Sequence, residues 1–316
     1  MTDKRTLVSI VCPFFNESSN VQAFYESLNA ELERLPQYRF EILCVDDGSQ
    51  DQTLSALLHI SDNDHRFKVL ELTRNFGKEA ALSAGLDATK GDVVITIDSD
   101  FQDPLSLVGR LIQEWEDGEV DVVLAKRADR QHDSLVKRAT AKAYYKLHNY
   151  LSPVKIPADV GDCRLMSRQV VQALSLLPET HRFMKGLFAW VGFRTKTIEY
   201  ARQPRLSGVS KFSWWRLWNF AIDGITSFST TPLRMWTYIG ITGALLSIAF
   251  GIYVVFRTLI FGADVPGYAS LFVAILFLGS VQLIGLGILG EYVGRLFMES
   301  KRRPAYLIRR VYRREK

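Results

Sequence analysis

Residues 92–104 read Asp-Val-Val-Ile-Thr-Ile-Asp-Ser-Asp-Phe-Gln-Asp-Pro, an apolar, β-rich run that ends in a group of polar side chains. The run predicts a buried strand with Asp98, Asp100 and Gln102 directly after it. Strand alternation would point the two carboxylates the same way, and two like charges held so close favour a bound cation. A solvated, Asp-rich turn is the simpler interpretation of an isolated Asp-x-Asp. The choice between a cation site and such a turn therefore depends on motifs elsewhere in the chain.

The same pattern of a strand followed by polar residues occurs three times upstream. The strands are predicted at residues 7–11, 40–45 and 68–72, and the helices at about 21–35, 53–60 and 78–88. This alternation predicts an α/β domain with a mostly parallel sheet and helices on both faces. Ligands bind beyond the carboxyl ends of such strands. Those ends carry Pro13-Phe14-Phe15-Asn16-Glu17, Asp46-Asp47-Gly48-Ser49 and Thr73-Arg74-Asn75-Phe76-Gly77.

The last third of the chain contains two uncharged stretches, residues 235–256 and 268–290, each long enough to cross a bilayer. A re-entrant hairpin and two buried core helices are the alternatives, which the uninterrupted length disfavours. The connecting loop has one Arg and one Asp, whereas residues 295–316 have nine basic and two acidic residues. Since positive residues collect on the cytoplasmic side, we expect a multi-pass protein with its α/β domain and both termini in the cytoplasm.

Two segments before the first span are expected to lie on the membrane surface. Residues 134–150 combine basic and apolar side chains at helical spacing, although an ordinary surface helix has the same pattern. Residues 212–228 carry three tryptophans on a broad apolar face, which is typical of an interfacial anchor. We therefore expect a cytoplasmic domain (1–211), an interfacial helix (212–232), a two-helix membrane hairpin (233–294) and a basic tail (295–316).

The composition excludes several classes of protein. Three cysteines without a Cys-x-x-Cys pair exclude a disulfide framework and disfavour a structural zinc site. The net charge of +5 comes from the basic C-terminal segment, not from the whole surface, so we expect no nucleic-acid partner. The run at residues 7–13 is too short and too soon interrupted to be a signal peptide.

In their order and spacing, the four strand-end motifs resemble those of the family 2 inverting glycosyltransferases. Within that family the chain is similar to the polyprenyl-phosphate glycosyltransferases, the group of dolichyl-phosphate mannose synthase and bactoprenol glucosyltransferase. The resemblance covers nearly the whole chain, including both predicted spans. It implies a GT-A (Rossmann-like) fold and an inner-membrane enzyme with Mg²⁺ or Mn²⁺, which transfers a hexose from a nucleotide sugar to a polyprenyl phosphate.

The resemblance also implies roles for residues on the donor side. Pro13, Phe15 and Glu17 would line the pocket for the base and ribose, with Asp46 accepting a hydrogen bond from the base. Asp98, Asp100 and Gln102 would hold the metal and the diphosphate, and Asp100 is a candidate catalytic residue.

Four further polar residues near the strand ends have alternative interpretations. Arg74 and Lys78 are candidate diphosphate cations, although Arg74 could instead pair with Asp46 or Asp47. Asp47 and Ser49 could simply cap the next helix.

On the acceptor side, residues 159–167 resemble the Gly-Asp-Phe-Arg segment of these enzymes, with Cys163 where an aromatic residue is common. The resemblance implies that Asp162, the second candidate catalytic residue, and Arg164 lie near the acceptor. Asp162 could act as a base or only orient the acceptor, which is already an anion. The phosphate-binding candidates are Arg127 and, in an element that resembles Arg-x-x-Arg-x-x-Gly-x-Ser-Lys, Arg202, Arg205, Ser210 and Lys211. A plain polybasic patch beside the membrane is the alternative for this element.

The stretch 74–81 most resembles the bactoprenol glucosyltransferases of O-antigen modification, which implies UDP-glucose as the donor and undecaprenyl phosphate as the acceptor. GDP-mannose and UDP-aminoarabinose are alternative donors. A non-catalytic lipid-binding scaffold and a processive polysaccharide synthase are competing functions, and the synthase is disfavoured because a Gln-x-x-Arg-Trp motif is absent.

Four glycines in the second span permit close helix contacts and favour a homo-oligomer.

Overall fold

The computed structural model describes residues 5–128, 135–157, 160–180, 182–201, 224, 226–262 and 267–313, without the side chains of 135–142, 268 and 269. Eight strands lie in these parts of the chain: β1 (Leu7–Phe14), β2 (Arg39–Asp46), β3 (Phe67–Leu72), β4 (Val93–Thr96), β5 (Val122–Arg127), β6 (Val160–Ser167), β7 (Thr195–Tyr200) and β8 (Ile308–Arg313). The same parts contain the helices α1 (Val21–Glu33), α2 (Thr53–Asn63), α3 (Lys78–Ala88), α4 (Leu107–Glu116), α5 (Leu135–Leu151), α6 (Arg168–Ser175), α7 (Met184–Trp190), α8 (Thr231–Phe261) and α9 (Tyr268–Ser300).

All eight strands belong to one sheet with the order β7-β5-β6-β4-β1-β2-β3-β8. Strands β4, β1, β2 and β3 run parallel, and β7 is parallel to β5. Strand β6 is antiparallel to both of its neighbours, β4 and β5. The predicted α/β class with a mostly parallel sheet is confirmed.

Both faces of the sheet are covered, because the strands carry apolar side chains on both sides. Val8, Ile10 and Cys12 of β1 pack into a core with α1, α2 and α4. Val11, which points the other way, packs into a second core with α3, α6 and α7. This double burial explains why the strands are continuous apolar runs instead of alternating ones.

The carboxyl ends of β4, β1 and β2 meet at one edge of the sheet. In the strand register Phe14 lies beside Asp46, and Val11 lies beside Thr96. The Ser99 hydroxyl donates a hydrogen bond to the Pro13 carbonyl (3.2 Å), which ties the acidic loop to the end of β1. The polar residues that follow the strands therefore line a common crevice.

The basic C-terminal segment, for which the sequence predicts a tail, returns to the sheet. Its strand β8 pairs antiparallel with β3 and covers that edge of the sheet. The Tyr312 hydroxyl donates to Glu71 (2.9 Å), and the Arg309 guanidinium pairs with the same carboxylate at 3.1 Å. Because this edge strand is exposed and contains several arginines, it lacks the apolar run that identifies the other strands in the sequence. Charged side chains on an exposed edge strand also disfavour pairing with strands of other chains.

Helices α8 and α9 contain the two predicted spans. Their most apolar windows have mean hydropathies of 2.2 and 2.4, and their large apolar side chains are exposed. Both helices extend beyond the uncharged stretches, and 31 residues span ~46 Å, more than the ~30 Å of a bilayer core. Gly285 of α9 faces the Trp236 ring of α8 so closely that a Cβ would overlap the indole.

The α/β domain contacts the start of α8 through a set of hydrogen bonds that we call the membrane junction. The hydroxyls of Ser229 and Thr231 donate to the Leu151 carbonyl at 2.5 and 2.8 Å. The Tyr292 hydroxyl of α9 donates to the Ser229 carbonyl at 2.7 Å. Helix α5, which covers most of the predicted amphipathic segment, therefore ends at the base of the apolar hairpin.

Candidate active site

The loops that follow β1 and β2 hold one another in place. Asn16 adopts a left-handed conformation (φ 54°), and its backbone N–H donates to the Ser49 hydroxyl at 3.0 Å. Its side-chain oxygen accepts the Gln50 N–H at 2.8 Å. These bonds fix the reversal of the chain after β1, which leaves Phe15 38% exposed and Pro13 half-buried beside the crevice.

Asp46 is buried at the end of β2, with 1% of its surface exposed. One carboxylate oxygen accepts the Ser49 N–H at 3.3 Å, and the other has no hydrogen-bond partner among the described residues. Burial raises the pKa of Asp46. A buried acceptor without a partner costs ~1–3 kcal/mol, so this oxygen suits an N–H donor of a bound ligand. Glu17, in the same region, accepts the Asn20 side-chain amide at 2.6 Å.

The loop after β3 is held by Asp47. Its two carboxylate oxygens accept the N–H groups of Phe76 (2.7 Å) and Gly77 (2.9 Å), immediately before α3. Neither Asp47 nor Ser49 caps α2, whose N-cap residue is Gln52, because the loop contacts use both side chains.

Arg74 lies at the rim of the crevice. Its guanidinium stacks over the Phe76 ring at 4.1 Å and donates to the Asn75 carbonyl at 3.1 Å. Within the described residues it makes no ion pair with Asp46 or Asp47, the pairing that the sequence left open. Its charge therefore stays at the mouth of the crevice.

The acidic loop after β4 turns at Phe101, which has a left-handed backbone (φ 57°) although it is not a glycine. The turn lets the Gln102 N–H donate to an Asp100 oxygen at 3.2 Å. Gln102 is 6% exposed, and its side-chain oxygen has no partner among the described residues. Strained residues of this kind often occur at functional sites.

Lys78, the first residue of α3, joins the acidic loop to β6. Its ammonium nitrogen lies 2.7 Å from an Asp98 oxygen and 2.5 Å from an Asp162 oxygen. Burial alone would lower the pKa of Lys78, but the two carboxylates raise it above its ordinary value. The ammonium therefore keeps two acids close together at the centre of the crevice.

The pKa values of Asp162 and Asp98 shift in opposite directions. Burial would raise the pKa of Asp162, but the ammonium groups of Lys78 and Lys185 hold it well below its ordinary value. For Asp98, burial prevails and the pKa is raised. Asp162 is thus a carboxylate at neutral pH and a weak base.

Arg164 lies two residues beyond Asp162 on the same face of β6. It is 3% exposed, its guanidinium stacks over the Phe188 ring at 3.8 Å, and it donates to the Gly161 carbonyl at 2.9 Å. Burial lowers the pKa of Arg164 to about 10, which still leaves it charged.

Arg127 ends β5 beside a buried pair of polar side chains. The Tyr200 hydroxyl donates to an Asp103 oxygen, and Tyr200 and Asp103 both help to raise the pKa of Arg127 against the lowering effect of burial. The Arg127 Nε has no partner among the described residues. An unsatisfied donor here suits an anionic ligand, as the sequence predicts for this position.

Two family models match the chain. Residues 9–175 match the glycosyl transferase family 2 model, and residues 231–296 match the GtrB C-terminal hairpin model. The chain belongs to glycosyltransferase family 2. The family match contains Lys78, Asp98 and Asp162, and the hairpin match contains nearly all of α8 and α9. This family 2 glycosyltransferase is therefore a transferase with a GT-A-like domain, as the motifs predict.

Similar proteins extend over nearly the full length of this glycosyltransferase. It is 52% identical over 302 residues to the bactoprenol glucosyl transferase of Shigella phage SfX, covering 96% of this chain and 98% of that protein. It is 50% identical to the prophage bactoprenol glucosyl transferase homolog of Escherichia coli K12, with coverages of 96% and 99%. The solved glucosyl-3-phosphoglycerate synthase of Mycobacterium tuberculosis has 21% identity and a TM-score of 0.48, with coverages of 72% and 79%.

The donor groups of the acidic loop suit a hard divalent cation. No group of three or more His, Cys, Asp or Glu side chains in the described ranges could hold a metal. Mg²⁺, however, commonly uses one or two carboxylates together with water and substrate phosphates. Asp98 and Asp100 supply two carboxylates. The buried side-chain oxygen of Gln102, which no described residue contacts by a hydrogen bond, supplies a neutral ligand.

The predicted phosphate element with Arg202, Arg205, Ser210 and Lys211, and most of the interfacial helix 212–228, lie outside the described residues. These assignments stay predictions.

Three polar residues near the site are not among those that the sequence predicts: Glu79, Lys185 and Tyr200. Tyr200 ends β7, so the strand-end rule would have found it had that short strand been predicted. Glu79 and Lys185 lie inside helical stretches and carry no local signal of their own.

Glu79 makes the stability of the enzyme depend on pH. Burial and the Asp162 charge raise its pKa to about 7, against 4.5 ordinarily, despite Lys78 and Lys185. Between these values the folded state binds a proton that the unfolded state has lost, so stability falls as pH rises from about 4.5 to about 7. We expect Glu79→Gln to remove this loss and to stabilise the protein by ~2 kcal/mol at pH 8, or ~4 °C in melting temperature.

The measurement is thermal unfolding of the full-length protein in detergent at pH 5 and pH 8. Glu33→Gln, on the exposed side of α1, is the control and should follow the wild type. Equal pH dependence in the wild type and in Glu79→Gln would contradict a raised pKa at Glu79.

Proposed function

We propose that this glycosyltransferase transfers glucose from UDP-glucose to undecaprenyl (bactoprenol) phosphate, with inversion at the anomeric carbon. The observation that carries the proposal is the 50–52% identity to bactoprenol glucosyl transferases over 96% of the chain. The product is a lipid-linked glucose for O-antigen or cell-envelope modification.

The enzyme works at the cytoplasmic face of the inner membrane. Two apolar helices of sufficient length support insertion, and the basic residues after the second helix favour cytoplasmic termini. Anchoring confines the α/β domain to the surface where a long-chain lipid phosphate resides, which raises the effective concentration of the acceptor. The glycine-rich α9 favours a homo-oligomer in the membrane.

The donor binds at the ends of β1, β2 and β4. Pro13, Phe15 and Glu17 line the base and ribose pocket. The Asp46 oxygen that has no partner among the described residues accepts an N–H of the base. Arg74, at the crevice rim, neutralises a diphosphate oxygen.

Asp98, Asp100 and Gln102 hold a divalent metal, Mg²⁺ or Mn²⁺, which supplies charge stabilisation for the leaving diphosphate when bound. The metal requirement is part of the proposal. Lys78, which contacts Asp98 and Asp162, keeps these acids from repelling each other while substrates enter and leave.

The transfer is a single displacement. An oxygen of the acceptor phosphate forms a bond to the anomeric carbon, while the bond from that carbon to the diphosphate breaks and its electron pair leaves with UDP. The acceptor is already an anion, so little proton removal is needed. Asp162, with its low pKa, therefore orients the acceptor side and stabilises the positive charge that develops on the sugar.

The cations on the acceptor side serve the lipid phosphate. In the described part of the chain, the Nε donors of Arg127 and Arg164 have no hydrogen-bond partner. Arg202, Arg205, Ser210 and Lys211 are assigned to the same phosphate by the motif alone.

The donor assignment is tested by offering UDP-glucose, GDP-mannose and a UDP-aminoarabinose separately with undecaprenyl phosphate and measuring sugar in the organic-extractable lipid. We expect labelling from UDP-glucose that requires Mg²⁺ or Mn²⁺ and is abolished by a chelator. Labelling from another donor alone would contradict the glucose assignment. No labelling from any donor would favour a lipid-binding scaffold, and polymeric product would favour a processive synthase.

A further inference from the structure

A cavity of about 160 Å³ lies against β5 and β6, on the sheet face that carries Asp162. We call it the β5–β6 cavity. Its apolar walls include Leu124, Val160, Met166 and Phe188. An apolar cavity of ~150 Å³ can hold a molecule the size of benzene, so this one has room for about five or six carbon atoms.

Three cationic side chains belong to the wall of the β5–β6 cavity. Arg164, Lys155 and Lys185 line it together with the apolar residues. Arg164 is 3% exposed, and its Nε has no hydrogen-bond partner in the described part of the chain. A buried donor in this state favours an anionic ligand.

Two of these cations, Arg164 and Lys185, lie near the proposed reaction centre. Asp162 and Arg164 are alternate residues of β6, so their side chains share one face of the sheet about 6.6 Å apart along the strand. The charge of Lys185 also reaches Asp162, whose pKa it helps to lower. An anion bound beside Arg164 would therefore lie next to the crevice.

Part of the cavity wall comes from a segment that follows the membrane junction closely in the chain. Lys155, Ile156 and Pro157 form this part of the wall and follow closely after Leu151, whose carbonyl accepts the hydroxyls at the start of α8. The α7 wall is covered on another side by Phe228, which packs so tightly on Gly186 that a Cβ would overlap the ring. The cavity wall thus combines β6 residues beside the crevice with residues that neighbour the membrane junction in the chain or in packing.

We propose that the β5–β6 cavity binds the isoprene unit nearest the phosphate of the lipid acceptor, with that phosphate beside Arg164 and Lys185. This deepens the proposed transfer to a polyprenyl phosphate and rests on it. A five-carbon, branched, apolar group joined directly to a phosphate matches both the volume and the charge of the cavity.

Other membrane anions match it less well. Free phosphate would leave the apolar walls without contacts. A diacyl phospholipid carries glycerol esters next to its phosphate, and burying those polar groups without partners is unfavourable. The cavity therefore selects the phosphate and first isoprene unit of a prenyl phosphate. The rest of the prenyl chain stays in the bilayer.

The test narrows the cavity from its α7 wall. Ala189 lines the cavity and is half-buried, so Ala189→Leu and Ala189→Trp should fill it in two steps. Leu176→Trp, on a residue that is 82% exposed at the end of α6, is the matched control. The readouts are the KM for undecaprenyl phosphate, the KM for UDP-glucose, and binding of geranyl phosphate, inorganic phosphate and phosphatidate to the full-length protein in detergent.

We expect the wild type to bind geranyl phosphate at least about tenfold more tightly than inorganic phosphate or phosphatidate, because apolar carbons are buried. Ala189→Trp should remove that preference and raise the KM for undecaprenyl phosphate about tenfold or more, with an intermediate effect for Ala189→Leu. The KM for UDP-glucose and the Leu176→Trp control should not change.

Three results would overturn the proposal. The first is equal binding of geranyl and inorganic phosphate by the wild type, which needs no variant to fold. The second is an unchanged KM for undecaprenyl phosphate in a folded Ala189 variant that still transfers glucose. The third is phosphatidate binding as tight as geranyl phosphate binding and equally sensitive to Ala189→Trp. Failure of the wild type to glucosylate any prenyl phosphate would instead overturn the proposed function, and the binding comparison would still decide the cavity.

Discussion

Asp100→Ala is expected to lower the turnover of glucose transfer by at least about 100-fold while the protein stays folded and membrane-bound. The side chain follows β4 in the acidic loop, where the Gln102 N–H donates to it. Removing it takes away one of two carboxylates proposed to hold the cation opposite the leaving diphosphate. Losing one such electrostatic group commonly costs ~10²–10³ in rate.

The control for this variant is Asp62→Ala, which removes an exposed carboxylate of α2 far from the strand ends. Turnover, the membrane-bound fraction and the melting temperature are measured for both variants and the wild type. A non-catalytic scaffold would lose nothing in Asp100→Ala. Turnover within a factor of two of the wild type, in the presence of Mg²⁺ or Mn²⁺, would contradict the proposed role of the acidic loop.

The first four strands and their loops could be predicted because each is a short apolar run bounded by polar residues. That pattern reflects burial on both faces, which local sequence records directly. Once the strands are parallel and adjacent, their carboxyl ends must meet, so the convergence of Pro13, Asp46 and Asp98 also follows. The site could be assembled from sequence to this extent.

Contacts between distant parts of the chain could not be predicted in the same way. Lys78 and Asp162 are 84 residues apart, and they meet only because β6 runs antiparallel beside β4. Glu71 and Tyr312 are 241 residues apart, and their bond depends on the chain returning from the apolar hairpin. Neither pairing leaves a period or a motif in the local sequence.

This difference matters for the role of Asp162. The motif places a carboxylate near the acceptor but gives no information about its basicity. The structure shows the Lys78 ammonium 2.5 Å from this carboxylate. A carboxylate that a nearby cation stabilises in its ionised form takes up a proton only weakly, so it is a poor base. The geometry therefore favours orientation of the acceptor over general-base catalysis, the two roles that the sequence left open.

Asp162→Asn is expected to lower kcat by about 10²–10³, with an equal loss at every pH between 6 and 9. Asparagine keeps the shape of the side chain but removes the charge that faces Lys78 and the developing positive charge on the sugar. Because the pKa of Asp162 lies well below its ordinary value, the wild-type carboxylate does not titrate in this range. The KM for UDP-glucose should change little, since the donor pocket lies at β1, β2 and β4.

The pH profile separates the two roles of Asp162. If Asp162 removed a proton in the rate-limiting step, the rate of Asp162→Asn would rise with pH as hydroxide replaced the missing base. A constant loss contradicts the base and supports orientation by charge. The matched control is Asp121→Asn, which should keep wild-type kinetics. Asp121 directly precedes β5, at the end of the strand away from Arg127, and its carboxylate accepts the Arg194 N–H at 3.2 Å. Full activity of Asp162→Asn would contradict both roles, since an ionised carboxylate bound to Lys78 would then be structural only.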